Sequence, residues 1–250
     1  MASIYHGTPI TPNAALEALA GRLFCISYAR PDQLAILLRI AAGLMIDNGA
    51  FSAFTRGKVV DWRLFYQWLE PILFAPGRWA VIPDVIDAGS QLQDALLADW
   101  PFGHRGAPVW HMDEPIARLI QLAGEWPRIC IGSTGEYWRV GSAIWHERMI
   151  EVWTALLALR VRPAIHMLRG TAVAHLYPFD SADSTSLGAN GWRYDSPLYA
   201  DVDCPWRGRI TYADRLEARA ASVIWQPIPI IGLFPVMPKK QLDDGQLRLW

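Results

Sequence analysis

The 250-residue chain is poor in cysteine, equally poor in lysine, and has no long apolar run, and each shortage narrows the class of protein. Three cysteines, Cys25, Cys130 and Cys204, are an odd number with no close pair, which argues against a disulfide framework and against a Cys-rich zinc site. Reduced thiols are expected, and with them a cytoplasmic setting. No stretch of about 18 apolar residues occurs, and Met1–Pro12 lacks a charged region followed by an apolar one, so neither a membrane partner nor a signal peptide is expected. The balance of 23 basic and 24 acidic residues excludes a strongly basic coat, so any nucleic acid must be gripped locally. No G-x-G-x-x-G follows the first apolar run and no G-x-x-x-x-G-K-[ST] exists, which disfavours an open nucleotide-binding sheet.

What is present is a chain with 52% hydrophobic residues, enough for a sizeable core. Of the cations only Lys58, Lys239 and Lys240 are lysine; the other 20 are arginine, a side chain that stacks on bases and forks onto phosphate. The 13 tryptophans fall largely inside amphipathic patterns and read as core. Short apolar runs alternate with longer amphipathic ones, the pattern of a parallel sheet flanked by helices. The runs are Ser3–His6, Leu23–Ser27, Leu44–Asp47, Trp79–Asp84, Ala107–His111, Arg128–Gly132, Ala164–Met167 and Phe179–Asp183. Helices are expected at Asn13–Ala20, Asp32–Ala41, Trp62–Leu73, Ser90–Ala98, Pro115–Leu122, Ser142–Leu159 and Arg215–Ile224. Eight strands recurring about every 25 residues predict a single α/β domain, a (β/α)8 TIM-type barrel over residues 1–225, with the proline-bearing residues 226–250 as an extended tail packed on it.

Barrel chemistry is built on the C-terminal ends of strands, and here those ends are polar: His6, Ser27, Asp47, Asp84, His111, Ser133 with Thr134, His166 and Asp183. Gly49, after Asp47, suits a tight turn, and Asp183 stands where it could also cap a helix. Two carboxylates facing one ligand permit glycosidic chemistry, one attacking the anomeric carbon while the other handles the leaving group's proton. A third can read donors on a base. His6, His111 and His166 with an aspartate would be an alternative metal set, but the spacing shows neither H-x-H nor H-E-x-x-H, and His146-Glu147 reads as helix surface. No metal and no cofactor is expected. A Ser-His-Asp triad lacks its G-x-S-x-G turn.

The succession Asp47-Asn48-Gly49-Ala50-Phe51, Ile82-Pro83-Asp84, Cys130-Ile131-Gly132-Ser133, Ile165-His166-Met167 and Ser181-Ala182-Asp183-Ser184 resembles the tRNA-guanine transglycosylase superfamily, and within it the deazapurine DNA-modification branch. The likeness covers about residues 44–190 and lies in short motifs in a fixed order. It implies a (β/α)8 enzyme that exchanges a nucleobase in a polynucleotide through a covalent intermediate. By position, Asp183 would be the nucleophile, with Asp180 its rival, and Asp47 the proton-handling or base-contacting carboxylate. Asp84 would read the base edge, with Gly132, Ser133, His111, His166, Phe51 and Tyr137 completing the pocket. The Cys-x-Cys-x-x-Cys…His zinc motif of the tRNA enzymes is absent, which favours DNA over tRNA as partner, with a free modified base as a second ligand.

A base must leave the stack before its C1′ can be reached, and aromatic and Arg side chains must offset that cost. Tyr28, Phe51, Tyr137 and Trp138 are candidate stacking surfaces; Arg56, Arg139, Arg169, Arg207 and Arg209 are candidate phosphate ligands, with Trp206-Arg207-Gly208-Arg209 combining both. Once the sugar is held covalently, a second base gives exchange and water gives an abasic site, so a transglycosylase and a hydrolytic glycosylase, such as one excising a modified base in defence against phage, remain open alternatives. A tRNA-acting transglycosylase, a small-molecule barrel hydrolase and a non-catalytic nucleic-acid-binding protein are the other readings.

Overall fold

A computed structural model describes residues 1–86, 89–189, 191–194 and 205–222. The tail expected at residues 226–250, and Cys204, lie outside the described residues. Among the described residues nine strands run parallel in one sheet: β1 (Ser3–Gly7), β2 (Leu23–Ser27), β3 (Gly43–Asp47), β4 (Arg78–Val81), β5 (Gly106–Ala107), β6 (Val109–His111), β7 (Arg128–Gly132), β8 (Ala164–Met167) and β9 (Ser181–Ser184). Their order is β5-β4-β3-β2-β1-β9-β8-β7-β6. The two ends of that order are one stretch of chain. β5 pairs with β4, β6 pairs with β7, and only Pro108 separates them. Proline has no N–H to give to a ladder, so the strand is split in two, while the Pro108 carbonyl still accepts from Cys130 N–H at 2.8 Å. The sheet is thus curved into a (β/α)8 TIM-type barrel with eight strand positions, the fifth one broken.

The helices are α1 (Asn13–Glu17), α2 (Leu34–Ile40), α3 (Ala50–Thr55), α4 (Trp62–Leu73), α5 (Ser90–Ala98), α6 (Ile116–Glu125), α7 (Ala143–Leu157), α8 (Ser186–Ala189), α9 (Gly191–Tyr194) and α10 (Arg207–Ala221). Asp61 caps α4 by accepting from Arg63 N–H, and Ser142 caps α7 by accepting from Trp145 N–H. Helix α10 begins eight residues before the expected start, and α3 is an additional short helix. Among the described residues no helix is long and apolar enough to cross a membrane.

Strand alternation sorts the side chains into two cores. Outward positions pack beneath the helices: Phe24, Ile26, Leu44, Ile46, Ala80 and Ile82 on one side, and Trp110, Met112, Ile129, Ile131, Ile165 and Met167 on the other. Inward positions fill the barrel with Tyr5, Cys25, Met45, Trp79, Val81, Ala107, Val109 and Cys130. Trp79 Nε1 donates to Tyr5 Oη at 3.0 Å, and the Arg128 guanidinium lies 4.5 Å over the Trp79 ring. His6 has the parity of Ile4, so it faces outward and meets Glu217 of α10 at 2.8 Å. It does not belong to the barrel mouth.

Gly106 marks the tightest point of this packing. A Cβ there would meet Trp100 Nε1 at 2.5 Å and Ile82 Cγ1 at 2.6 Å, both on buried side chains. Gly106→Ala should therefore lower stability by about 1–3 kcal/mol through overpacking. Denaturant unfolding of the two proteins checks it, and an unchanged midpoint contradicts it.

Candidate active site

The mouth is assembled from the C-terminal ends of β3, β4, β6, β8 and β9. Asp47 ends β3, and Gly49 takes φ +82°, which lets the chain turn straight into α3. The Gly49 N–H donates to Asp47 Oδ2 at 3.2 Å. Asn48 is buried and acts as a strut. Its Nδ2 donates to the Ile82 carbonyl and to Asp84 Oδ1, both at 2.8 Å, while its Oδ1 accepts from Ala50 N–H at 2.8 Å. The ends of β3 and β4 are thereby tied together.

Asp84 is fixed from a second side by His111 Nε2, 2.9 Å from its Oδ2. Burial alone would lower the His111 pKa, but the hydrogen bond with Asp84 and the charges of Asp84, Glu114 and Asp113 outweigh it and raise the pKa. The imidazolium form of His111 is therefore favoured beside Asp84. Asp183 has a different arrangement. Its Oδ1 accepts from His166 Nε2 at 3.2 Å and from Arg169 N–H at 3.0 Å. Among the described residues, Oδ2 has no hydrogen-bond partner. Arg169 reaches this position with φ +56°, a left-handed conformation that a non-glycine residue adopts at a cost of about 1–2 kcal/mol. Its guanidinium donates to the Ser133 carbonyl at 3.2 Å and lies 4.5 Å over the ring of Phe51, itself 43% exposed.

Asp47, Asp84 and Asp183 thus gather on one rim. Asp47, half-buried, is pushed up to about 6 by desolvation and by the charges of Asp183 and Asp84, against the opposing pull of the Ser27 hydroxyl and the Gly49 N–H. The same carboxylates raise Cys25 and Cys130 further above what burial alone does, so these thiols beneath the site are poor nucleophiles. Asp183 and Asp47 also act on Arg169, opposing the lowering that burial imposes on it.

Several expected residues are placed elsewhere or differently. Asp180, the rival nucleophile, lies before the N-terminal end of β9, at the floor of the barrel, where it accepts from Arg162 Nη1 at 2.6 Å and from Ile165 N–H at 2.7 Å. The Ser133 hydroxyl is turned into the helix layer and away from the mouth, accepting from Trp145 Nε1 at 3.0 Å and approaching Met112 Sδ at 3.6 Å. His166 is fully buried with both ring nitrogens engaged, which removes it as a base contact. At Gly132 a Cβ would fit tightly, 3.1 Å from Val109 Cγ1 and 3.2 Å from His111 Cδ2. Tyr137 is half-buried beneath the Arg148 guanidinium at 5.5 Å, whereas Trp138 is 65% exposed with Arg139 beside it at 5.8 Å.

Arg209 is 2% exposed and donates to the Thr11 carbonyl at 2.9 Å, so it braces the loop after β1 and is not a phosphate ligand. Trp206 is half-buried and packs on the outer core; Arg207 is exposed in the first turn of α10. Arg56 is exposed and lines an open groove of about 310 Å³ with Tyr28, Asn48, Gly49, Lys58 and Asp61. His146 is buried, not on a helix surface, with Nδ1 2.7 Å from the Tyr177 hydroxyl. Among the described residues no group of three or more His, Cys, Asp or Glu side chains comes together as a metal site, and His6 is separated from His111 and His166 by facing outward.

No protein-family model, no characterised protein and no solved structure matches the chain.

Two outcomes follow from these placements. The raised pKa of Asp47 favours its protonated form in the folded state, so its contribution is favourable below the unfolded value of about 4 and is lost as pH rises through about 6. Asp47→Asn should therefore stabilise the protein by about 1–3 kcal/mol at pH 8 and by nothing near pH 4. Thermal unfolding across that range checks it, and an equal effect at both ends contradicts it. Asp180→Ala should cost about 1 kcal/mol, because the Ile165 N–H loses its acceptor and the ion pair with Arg162 is partly screened, while any activity of the mouth stays intact. Loss of activity without loss of stability would return Asp180 to the catalytic set.

Proposed function

We propose that this protein cleaves the N-glycosidic bond of a nucleobase in DNA through a covalent intermediate on Asp183. The observation that carries the reading is the contrast between two neighbouring carboxylates. Among the described residues, Asp183 has one oxygen anchored by two donors and the other without a partner, whereas the Asp47 carboxyl is pushed up to about 6. A nucleophile needs an oriented, unprotonated oxygen; a proton donor needs a pKa near the working pH. In the first step Asp183 Oδ2 forms a bond to C1′ as the C1′–N bond breaks, and the Asp47 carboxyl gives its proton to the departing base. In the second, Asp47 takes a proton from the incoming group as that group bonds to C1′ and the C1′–Oδ2 pair returns to Asp183.

Asp84 is the base reader in this account, because His111 and Asn48 hold it in one rotamer with its charge partly balanced. Arg169 over Phe51 offers a cation and a ring face next to the carboxylates, and Phe54, 49% exposed, with Arg56 extends that surface along α3. Trp138 with Arg139 supplies a second such surface. Stacking rings interleaved with arginines suit an extruded or single-stranded nucleotide. The absence of the Cys-x-Cys-x-x-Cys zinc motif supports DNA over tRNA. Exchange and hydrolysis share the first step and part only at the incoming group.

The test is to incubate the protein with unmodified and with 7-deazaguanine-containing oligonucleotides, then measure released base, alkali-labile breaks and uptake of labelled deazapurine. Base release should fall as pH rises above about 6, as Asp47 loses its proton. Asp183→Asn should reduce release by more than about a thousandfold with unchanged thermal unfolding. An active Asp183→Asn protein refutes its role. Strand breaks without uptake identify hydrolysis; uptake without breaks identifies exchange.

A further inference from the structure

The least expected feature of the mouth is the side chain directly behind the proposed nucleophile. His166 is fully buried inside the barrel, edge-on to Trp79 at 5.1 Å and to Tyr5 at 5.9 Å between ring centroids. Its Nδ1 lies 2.8 Å from the Ser181 hydroxyl and its Nε2 3.2 Å from Asp183 Oδ1. A carboxylate can only accept, so Nε2 carries the proton, and the Ser181 hydroxyl, able to donate, satisfies Nδ1. The tautomer is thus set by the chain of partners Ser181, His166, Asp183. Trp79 is itself fixed by donating to Tyr5 Oη, so the two rings that pack on the imidazole are braced against each other.

Resting on the glycosidic reading above, the geometry points to His166 as a positioning residue that sets how quickly the glycosyl–Asp183 ester is broken down. The argument is one of differential hydrogen bonding. In the free enzyme Oδ1 shares the carboxylate charge; in the ester, with Oδ2 bonded to C1′, Oδ1 is a neutral carbonyl oxygen. A hydrogen bond to an ionised acceptor is roughly twice as strong as one to a neutral acceptor. The Nε2–H bond therefore favours the carboxylate over the ester. It makes Asp183 a better leaving group when the C1′–Oδ2 bond breaks and the pair returns to the carboxylate, and it makes the same oxygen a slightly weaker nucleophile in the first step. Arg169 N–H holds the same Oδ1 from the backbone, so orientation survives when the imidazole is removed, and the electronic effect of His166 can be read by itself.

The experiment follows the time course of base release on the unmodified and 7-deazaguanine oligonucleotides, together with protein–DNA adducts that persist on denaturing gels. His166→Phe should keep a first burst of base release at no less than the parent rate. Steady turnover should then be about tenfold slower, with adduct accumulating to a large fraction of the enzyme. His166→Gln, which keeps an N–H donor, should restore turnover and abolish the accumulation. Should His166→Phe fail to fold, Ser181→Ala, which removes the partner of Nδ1, should still raise the adduct above the parent level. Equal loss of burst and steady rate with no adduct, in whichever variant folds, assigns His166 a structural role and overturns the inference. Absence of base release by the parent protein overturns the glycosidic reading itself, and the two failures are thereby distinct.

Discussion

Three carboxylates crowded onto one rim, partly out of water, form the constraint around which the mouth is organised. Like charges in such a place cannot all stay ionised without compensation. Asp84 is compensated by His111 and by the amide of Asn48; Asp183 by the Nε2–H of His166 and the N–H of Arg169. Asp47 has the Ser27 hydroxyl and the Gly49 N–H to oppose desolvation and the charges of Asp183 and Asp84, and its pKa is raised to about 6. The three carboxylates thus differ in the partners that hold them.

The barrel underneath makes that crowding affordable. Tyr5, Trp79, Met45, Val81 and Cys130 fill the interior beneath the carboxylates, and the rings of Tyr5 and Trp79 pack edge-on against His166. At the far end Asp180 serves the opposite need: it is bound by Arg162 and by Ile165 N–H and secures the entry of β8 and β9. Two aspartates three residues apart thus do unrelated work, because a four-residue strand carries the chain from the floor of the barrel to its mouth.

Much of the scaffold was legible in the sequence, because parallel strands buried on both faces read as short apolar runs and their polar terminal residues stand out against them. All eight such runs overlap a strand, with the fifth split at Pro108, and Asp47, Asp84 and Asp183 do converge. What the pattern could not supply was side-chain direction. His6 and His166 look alike at strand ends, yet one faces out to Glu217 and the other lies inside against Asp183. Arg209 reads as a phosphate ligand but is buried against the Thr11 carbonyl, and Asn48, which the pattern gives no role, ties two strand ends together. Helix α3, six residues long, is too short to give a periodic signal, and α10 begins with a polar turn that carries none. Each of these is decided by a partner distant in the chain.

The broken fifth strand has a bearing on motion. β4 meets β5 only over Ala80–Gly106 and Val81–Ala107, whereas β2 and β3 run side by side from Leu23–Gly43 to Ser27–Asp47, and β9 is laddered to β1 along Ser3–Ser181 to His6–Ser184. Rungs are therefore fewest beside Pro108 and between β8 and β9, which pair at His166–Ser181 and Met167–Ala182, and opening of a sheet is easiest where the fewest amides hold neighbouring chains. Asp183 and Asp47 stand on the arc β3-β2-β1-β9, where the ladders are longer. Asp84 and His111 border the seam and clasp across it at 2.9 Å, so a side-chain contact stands in there for the missing rungs.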